Sequence, residues 1–246
     1  MKILFSPSEN KNEFCPYPVI NQDSFIFKDL FQLRIHALSC YENFVKSSDD
    51  ESLKDFFGVK NTKEFSKFKQ DLKLSPTNRA IELYSGVSYQ FLDFKSLDKT
   101  SKDYILENTL IFSNLFGVVR ASDTLPFYKF KQGAKIENFA IEKFYKDNFS
   151  SKLDEFLKDE NIIDLRAGFY DKFYIPKKRF TTYKFIKNGK IVSHFAKAYR
   201  GILLRILAQN QIKDNQNLLD KLPDKLHLKE IRILGPKEEI ILEILE

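Results

Sequence analysis

The stretch KILFSPSENK, residues 2–11, joins a short apolar run to a polar loop and places a strand at the start of the fold. Lys2–Phe5 has the length and apolar content of a buried strand, and Ser6-Pro7 forms a typical turn after it. Ligands commonly bind at the carboxyl ends of strands, so residues 8–11 are a candidate site. Their hydroxyl, carboxylate, amide and amine could hold a phosphate or transfer a proton. The glycines of a P-loop are missing, and a capped turn is the simpler interpretation.

Outward from this strand, helical and extended patterns follow one another without regular alternation. Apolar periodicity predicts helices over residues 24–45, 53–57, 65–72, 76–84, 104–108, 144–157 and 197–209. Apolar runs predict strands over residues 110–112, 162–165, 180–186, 191–195, 228–234 and 239–245. Asn188-Gly189 is the strongest hairpin signal, and Ser75-Pro76 is typical of a helix start. Since no linker or internal repeat interrupts the chain, we predict one mixed α+β domain over residues 1–246.

The chain lacks the sequence marks of export. The apolar run after Met1 is too short for a signal peptide, and no stretch approaches the roughly 18 apolar residues that cross a bilayer. Cys15 and Cys40 would then stay reduced. We expect a cytoplasmic protein with no membrane partner. The three histidines and two cysteines lack the spacing of metal ligands, so we expect no metal site and no cofactor.

Positive charge is concentrated in one part of the chain. The formal net charge is +6, yet residues 166–205 hold eleven basic residues and one acid, Asp171. A smaller basic cluster consists of Arg120, Lys129, Lys131 and Lys135. Such segregation attracts polyanions and is screened by salt. A single lysine run usually decorates a solvated face, but a block that also holds four arginines favours polyanion binding.

Residues 50–73 predict a helix–hairpin–helix-like element. Two short helical patterns flank Gly58-Val59-Lys60, where Gly58 permits a positive φ and Val59 can pack between the helices. Lys60 and Lys63 would lie near free N–H groups at the start of the second helix, a favourable place for phosphate. Such hairpins hold a nucleic-acid backbone without reading its sequence. An ordinary αα-hairpin with a glycine turn fits the pattern equally well.

Further polar groups at strand ends could take part in catalysis. The candidates carry hydroxyl, carboxylate, cationic, phenol or imidazole groups, and they are Ser8, Glu9, Lys11, Tyr84, Asp164, Arg166 and His194. Taken singly, these blocks are more simply turns with solvated polar groups, and a lone histidine is more often structural. No Ser/His/Asp order and no paired-carboxylate spacing stands out.

Five short blocks stand in a fixed order along nearly the whole chain. They are ILFSPS (3–8), YSGV (84–87), LFGVVR (115–120) with Pro126 and Tyr128, DLRAG (164–168), and VSHFAK (192–197) with Arg200-Gly201. This set resembles the YaaA family of bacterial peroxide-stress proteins. The chain differs from many members in having Glu9-Asn10 in place of Lys-Thr and Val119 in place of Leu.

The resemblance implies a YaaA-type fold with a positively charged cleft and a helix–hairpin–helix element. It also implies a cytoplasmic protein that binds DNA, limits oxidative damage to it and lowers free iron during peroxide stress. Carried over by position, the hairpin falls on Gly58, Val59 and Lys60. The cleft falls on Arg120, Lys129, Lys197 and Arg200.

Two hypotheses about function follow. The first is sequence-independent binding to the backbone of duplex or distorted DNA through Gly58, Val59, Lys60, Lys63, Arg120, Lys129, Lys197 and Arg200. The second is an enzyme that acts on a nucleotide or nucleic-acid base in a polar pocket built from residues 6–11, 164–168 and 193–200, which would make a small nucleotide a ligand. Direct iron chelation is a third and weaker hypothesis, because no cluster has ligand spacing.

Overall fold

One mixed sheet carries most of the strands. The computed structural model describes residues 1–245, apart from the side chains of Ser193 and His194. The strands are β1 (Lys2–Phe5), β2 (Thr77–Arg79), β3 (Thr109–Ser113), β4 (Gly117–Arg120), β5 (Thr124–Pro126), β6 (Ile162–Asp164), β7 (Phe180–Lys187), β8 (Lys190–Ile191), β9 (Leu226–Leu234) and β10 (Lys237–Ile244). Within residues 1–245, eight strands form the main sheet in the order β4-β3-β1-β6-β7-β10-β9, with β8 on β7, and β2 pairs with β5 separately.

Strand β1 lies between β3 and β6 and is parallel to both, with Leu4 opposite Leu110 and Asp164. Strands β6, β7 and β10 continue the parallel part, whereas β4, β8 and β9 add antiparallel pairs. This arrangement confirms the predicted mixed α+β class. Because β1 and β6 are parallel neighbours, the loops that follow them start at the same edge of the sheet.

The helices pack apolar faces against this sheet and against one another. They are α1 (Phe31–Ser47), α2 (Asp50–Phe57), α3 (Phe65–Phe68), α4 (Ala80–Leu83), α5 (Val87–Leu92), α6 (Lys99–Asn108), α7 (Ile141–Leu157), α8 (Ser193–Gln209) and α9 (Asn215–Leu219). Carboxylates cap three of the helix starts, since Asp49 accepts from Ser52 N, Asp98 from Ser101 N and Asp214 from Asn217 N. In α7 the buried side chains recur every fourth residue, as expected for a helix with one apolar face.

The abundant phenylalanines fill a common core. Phe56 of α2 stacks on Phe130 with ring centroids 4.7 Å apart, and Phe57 packs on Phe65 and Phe68 of the following segment. These rings belong to the same continuous buried cluster as Phe5 of β1. The helices of residues 50–73 are therefore held by the same apolar contacts as the sheet.

Two helices predicted in the N-terminal half of the chain start at other residues than expected. The helix predicted from residue 24 begins at Phe31, because Phe27 has a φ of 58° and short 3-10 turns occupy Gln22–Ser24 and Lys28–Leu30. Ser75-Pro76 does not start a helix. The next residues form β2 instead, since their pairing with β5 outweighs the local capping signal.

The second corrected region is the hairpin after β7. Asn188 and Gly189 have φ values of 51° and 73°, as in the predicted tight turn. The returning strand β8 is only two residues long, and α8 starts at Ser193, so the strand predicted over residues 191–195 is mostly helix. Within residues 1–245, no helix has both the length and the apolar character to cross a membrane.

Gly201 allows α5 and α8 to pack closely. A Cβ atom at this position would lie 2.0 Å from the Ser88 carbonyl oxygen. Alanine usually stabilises a helix interior by about 1 kcal/mol relative to glycine. Here we expect Gly201→Ala to lower the free energy of unfolding by about 1–3 kcal/mol, because α5 must move away. Urea denaturation measures the change.

Gly168→Ala is the matched control for this substitution. A Cβ atom at Gly168 would meet no atom within 4 Å, so its effect should stay within about 0.5 kcal/mol. A stabilising Gly201→Ala would contradict the close packing of α5 on α8.

Candidate functional site

A cleft of about 320 Å³ lies where β1 and β6 end. Its lining comes from four parts of the chain: the end of β1 and its loop, the start of α5, the loop after β6, and α8. Gln132 and Tyr170 complete it. The lining residues are Phe5, Ser6, Pro7, Ser8, Glu9, Asn10, Gly86, Val87, Ser88, Tyr89, Gln132, Leu165, Ala167, Tyr170, Lys197 and Arg200.

Hydrogen bonds of Ser6 join the loops that meet in the cleft. Its hydroxyl oxygen accepts from the backbone N–H of Ala167 at 2.8 Å, and its carbonyl oxygen accepts from the Tyr89 hydroxyl at 2.9 Å. The Tyr170 hydroxyl donates to Asn114 Oδ1 at 3.1 Å. The two tyrosine rings of the cleft are thus held in place by their own hydroxyl groups.

The start of α5 approaches the first loop and α8 closely. A Cβ atom at Gly86 would lie 2.2 Å from Ser8 Oγ, and the Ser88 hydroxyl donates to the Lys197 carbonyl at 2.8 Å. Ser8 Oγ also accepts from the Asn10 backbone N–H at 3.2 Å. A glycine at position 86 therefore lets the polar loop after β1 reach the cleft.

Two cations of α8 supply positive charge to the cleft. Lys197 is exposed and Arg200 is half-buried, and burial lowers the pKa of Arg200 while the charge of Asp164 partly opposes this shift. Within residues 1–245, no carboxylate forms an ion pair with either of them. Both remain available to bind an anion.

Much of the remaining basic block is neutralised within the fold. Acids from distant parts of the chain pair with four of its members: Lys177 with Asp154, Arg179 with Glu238, Lys184 with Glu239, and Arg205 with Asp93. Lys178 donates to the carbonyl oxygens of Lys158 and Glu160 at 2.7 and 2.8 Å. The charge count along the sequence therefore overestimates the free positive charge of this block.

Lys11 lies beside the cleft in an aromatic environment. Its half-buried ammonium is 4.0 Å from the centroid of the Tyr128 ring and donates to the Ser8 carbonyl at 3.1 Å. Burial and, to a smaller extent, the charge of Lys129 lower the pKa of Lys11 to about 7, and the charge of Glu9 partly opposes this shift. Lys11 could therefore exchange a proton near neutral pH.

Tyr84 is part of a buried chain of hydroxyl groups. Its hydroxyl is 2.9 Å from that of Tyr128, which is 2.7 Å from Ser113 Oγ. Burial raises the pKa of Tyr84 far above its usual value, so the phenol stays protonated at neutral pH. Tyr84 does not line the cleft itself. The centroid of its ring lies 5.2 Å from the Lys11 ammonium, so Tyr84 packs beside the polar loop after β1.

The lowered pKa of Lys11 predicts a pH-dependent stability. Between pH 7 and about 10.5 the unfolded chain binds a proton at Lys11 and the folded chain does not, so the free energy of unfolding rises with pH in this window. Below pH 7 both states carry the proton and the contribution is constant. Urea denaturation at pH 6, 8 and 9.5 should show a smaller rise for Lys11→Met than for the wild type. Lys60→Met, at an exposed lysine, serves as the control and should follow the wild type.

Asp164 and Arg166 bind each other rather than facing the cleft. The guanidinium donates to both carboxylate oxygens at 2.9 and 2.7 Å and lies 4.3 Å from the centroid of Phe112, and both side chains are buried. Arg166 also donates to the Tyr170 carbonyl at 3.1 Å. The pair stabilises the loop whose neighbours, Leu165 and Ala167, line the cleft.

The predicted hairpin has a glycine turn but a short second helix. Gly58 ends α2 with a φ of 65°, Val59 packs against the core, and Lys60 and Lys63 are exposed. The second helix consists of a 3-10 turn, Thr62–Glu64, and the single turn of α3, so it ends earlier than its apolar pattern predicts.

Residues 129–132 connect this hairpin to the cleft. A Cβ atom at Gly58 would lie 3.0 Å from Lys131 Cδ, and the Lys131 backbone N–H donates to the Phe56 carbonyl at 3.2 Å. The next residue, Gln132, donates its backbone N–H to Glu9 Oε1 at 3.0 Å and lines the cleft. Lys129 lies near Lys11, whose pKa it lowers.

Not every predicted site residue lies in this region. Arg120 lines other surface hollows and forms an ion pair with Asp123 at 2.8 Å. His194 stands in the first turn of α8, and its side chain lies outside the described residues. Among the described side chains, no three His, Cys, Asp or Glu residues are grouped to hold a metal ion.

The predicted site residues leave out four polar or aromatic members of the cleft, which are Ser88, Tyr89, Gln132 and Tyr170. Ser88 and Tyr89 directly follow the YSGV block (84–87), so their positions carried a signal. Tyr170 lies two residues after the DLRAG block, whereas Gln132 carried no signal, because only the folded chain brings it to β1.

Comparison with known proteins assigns the chain to a family. The profile described as "Peroxide stress protein YaaA" matches residues 1–231. The chain belongs to the YaaA family. The resemblance predicted from the sequence blocks is thereby confirmed, and the coarse function of the family is peroxide stress defence.

Related proteins come from several bacteria. An uncharacterized protein of Campylobacter jejuni is 68% identical over 246 residues, which cover all of both chains. A UPF0246 protein of Corynebacterium glutamicum is 32% identical over 227 residues, which cover 89% of each chain. A UPF0246 protein of Malacoplasma penetrans is 29% identical over 249 residues, with 93% of this chain and 96% of the relative covered.

Four of the five blocks that resemble the YaaA family contribute to the cleft. Residues 3–8, 84–87, 164–168 and 192–201 all supply lining residues. The fifth block, residues 115–120, has a structural role: Gly117 has a φ of 66°, and a Cβ atom there would lie 2.4 Å from the Tyr145 ring. The YaaA blocks thus lie mainly around one cavity.

Proposed function

We propose that this member of the YaaA family acts in the cytoplasm and protects DNA from iron-dependent oxidative damage by binding its sugar–phosphate backbone. The binding surface consists of Lys60, Lys63, Lys129, Lys131, Lys197 and Arg200, and is called the basic surface below. It includes the turn of the helix–hairpin–helix element and extends to the positively charged side of the cleft.

The continuity of this surface is the observation that carries the proposal. The Lys131 side chain lies beside Gly58, where a Cβ atom would be 3.0 Å from Lys131 Cδ, and the neighbouring Gln132 lines the cleft together with Lys197 and Arg200. These neighbour relations support a path from the hairpin turn to α8 through three segments that are remote in the sequence. A path of cations suits a phosphate backbone, whose charges are evenly spaced.

The types of side chain favour backbone contact over base recognition. Lysine acts as a flexible point charge, whereas specific readout of guanine commonly uses the planar fork of arginine. Five of the six members of the basic surface are lysines. The second helix of the hairpin, with one α-helical turn, is also too short to fill a major groove.

Salt-dependent binding tests the proposal. Fluorescence anisotropy with duplex, bubble and single-stranded DNA of equal length would be measured between 50 and 300 mM salt. The logarithm of the binding constant should fall linearly with the logarithm of salt concentration, with a slope of roughly −0.9 for each phosphate contact. Absence of binding to all three DNA forms at 50 mM salt would contradict the proposal.

A second candidate function is an enzyme that acts on a nucleotide or nucleic-acid base. The observation in its favour is that the loop after β1, the loop after β6 and α8 line one cavity, next to the Lys11 amine. Incubation with nucleotides and DNA, followed by mass spectrometry of the products, tests it. Conversion that is lost in Glu9→Ala while DNA binding persists would support the enzyme, and no conversion by the wild type would contradict it.

A further inference from the structure

We infer that the cleft binds a single nucleotide, with its phosphate at Lys197 and Arg200 and its base against the loop after β1. The nucleotide is either free or extruded from a DNA strand. For the extruded nucleotide, the inference rests on the proposed DNA binding.

The size of the cleft selects a ligand of this kind. Ligand pockets measure roughly 300–1,000 Å³, and this cleft, at about 320 Å³, is at the lower end. A DNA duplex cannot enter it, since the major groove alone is about 12 Å wide. Only one nucleotide of a strand fits the cleft. Proteins that flip a base out of the DNA stack bind it in a pocket for a single nucleotide.

The charges around the cleft have the polarity of a nucleotide. The cations Lys197 and Arg200 come from α8, whereas the carboxylate of Glu9 comes from the loop after β1. Within residues 1–245, no ion pair joins Glu9 to either cation. The cations suit a phosphate, and a carboxylate accepts hydrogen bonds from the amino groups of a base.

Uncharged groups complete the match. The amide side chains of Asn10 and Gln132 can donate to and accept from the edge of a base. The rings of Tyr89 and Tyr170 line the same cavity, and their hydroxyls are already hydrogen-bonded to Ser6 and Asn114. Rings fixed before the ligand arrives offer apolar contact to a base at a low entropic cost.

The experiment has two arms, one for each source of the nucleotide. In the first, isothermal titration calorimetry compares nucleoside 5′-monophosphates, the corresponding nucleosides and inorganic phosphate. In the second, 2-aminopurine is placed in a duplex opposite an abasic site, because its fluorescence rises when the base leaves the stack. We expect monophosphates to bind more tightly than nucleosides or phosphate, or the fluorescence to rise severalfold on binding, or both.

Variants on α5 separate the cleft from the surface around it. Val87 lines the cleft and is 37% exposed, so Val87→Trp should fill the cavity without disturbing the core. Phe91, on the same helix and 49% exposed, does not line it, and Phe91→Trp is the matched control. Val87→Trp should abolish the monophosphate binding or the fluorescence rise that the wild type shows, and Phe91→Trp should keep it. Lys197→Ala should weaken monophosphate binding by about tenfold.

The outcomes distinguish this inference from the proposed function. Salt-dependent duplex binding with no response in either arm would overturn the nucleotide site and leave DNA binding intact. Tight monophosphate binding without any DNA binding would support the nucleotide site and overturn the proposed function. A response that persists in Val87→Trp would place the nucleotide outside the cleft and overturn the inference.

Discussion

Replacing Lys60, Lys197 and Arg200 together with alanine should weaken duplex binding by about a hundredfold at 50 mM salt. Each charge-assisted contact with a phosphate is worth roughly 1 kcal/mol or more at an exposed site, and three such losses give this factor. Three fewer phosphate contacts should also make the slope of the salt dependence shallower by about 2.7. Anisotropy titrations over the salt series measure both quantities.

A second variant with the same loss of charge provides the control. Lys177, Arg179 and Lys184 are paired with Asp154, Glu238 and Glu239 on other parts of the chain. Their triple alanine variant should keep the wild-type slope, because it removes no free cation from the basic surface. Equal losses in the two variants would mean that overall charge, and not this surface, binds DNA. Unchanged binding in the first variant would show that its three residues are the wrong ones.

Asp164→Ala should lower the free energy of unfolding by roughly 3–5 kcal/mol. The substitution leaves the buried guanidinium of Arg166 without its carboxylate, and removing one partner of a buried pair commonly has a cost of this size. The hydrogen bond to the Tyr170 carbonyl and an ion pair at 3.6 Å with the half-exposed Asp171 remain, and they satisfy only part of the guanidinium. Urea denaturation followed by circular dichroism measures the loss.

An exposed ion pair offers the comparison for this prediction. Lys143 and Asp147 form an i,i+4 pair on the surface of α7, and 54% of the Asp147 side chain is exposed. Asp147→Ala should change the free energy of unfolding by about 0.5 kcal/mol or less. A similarly small effect of Asp164→Ala would show that Arg166 reaches solvent when its partner is removed, contrary to the buried arrangement.

The predictable parts of the fold were those with local physical causes. Apolar runs identified β3 and β6, and the Asn188-Gly189 turn identified the hairpin of β7, because turn geometry depends on neighbouring residues. Strand β2 was missed because its three residues are held by β5, more than 40 residues away in the chain. A short window of sequence around β2 does not contain its pairing partner, so it cannot predict this strand.

The candidate site shows the same division. Ser8, Glu9, Lys197 and Arg200 carry polar groups at the ends of predicted elements, and they do line one cleft. No local pattern predicts Gln132, since its position depends on two long-range hydrogen bonds, from the Lys131 N–H to the Phe56 carbonyl and from the Gln132 N–H to the Glu9 carboxylate. The chemistry of Asp164 and Arg166 predicts a place in the site, but in the fold the Arg166 guanidinium donates its hydrogen bonds to the Asp164 carboxylate.

The amino-acid sequence by itself determined the mixed α+β class, most strands and helices, and membership of the YaaA family, because these depend on apolar patterns and on the order of short blocks. Only the tertiary structure decided which cations stay free and which polar loops meet. Coulomb energies and hydrogen bonds depend on distance in space, so the charges of Lys177, Arg179 and Lys184 are compensated by acids that are remote in the sequence. Lys197 and Arg200, from the same block, remain unpaired within the described residues and line the cleft.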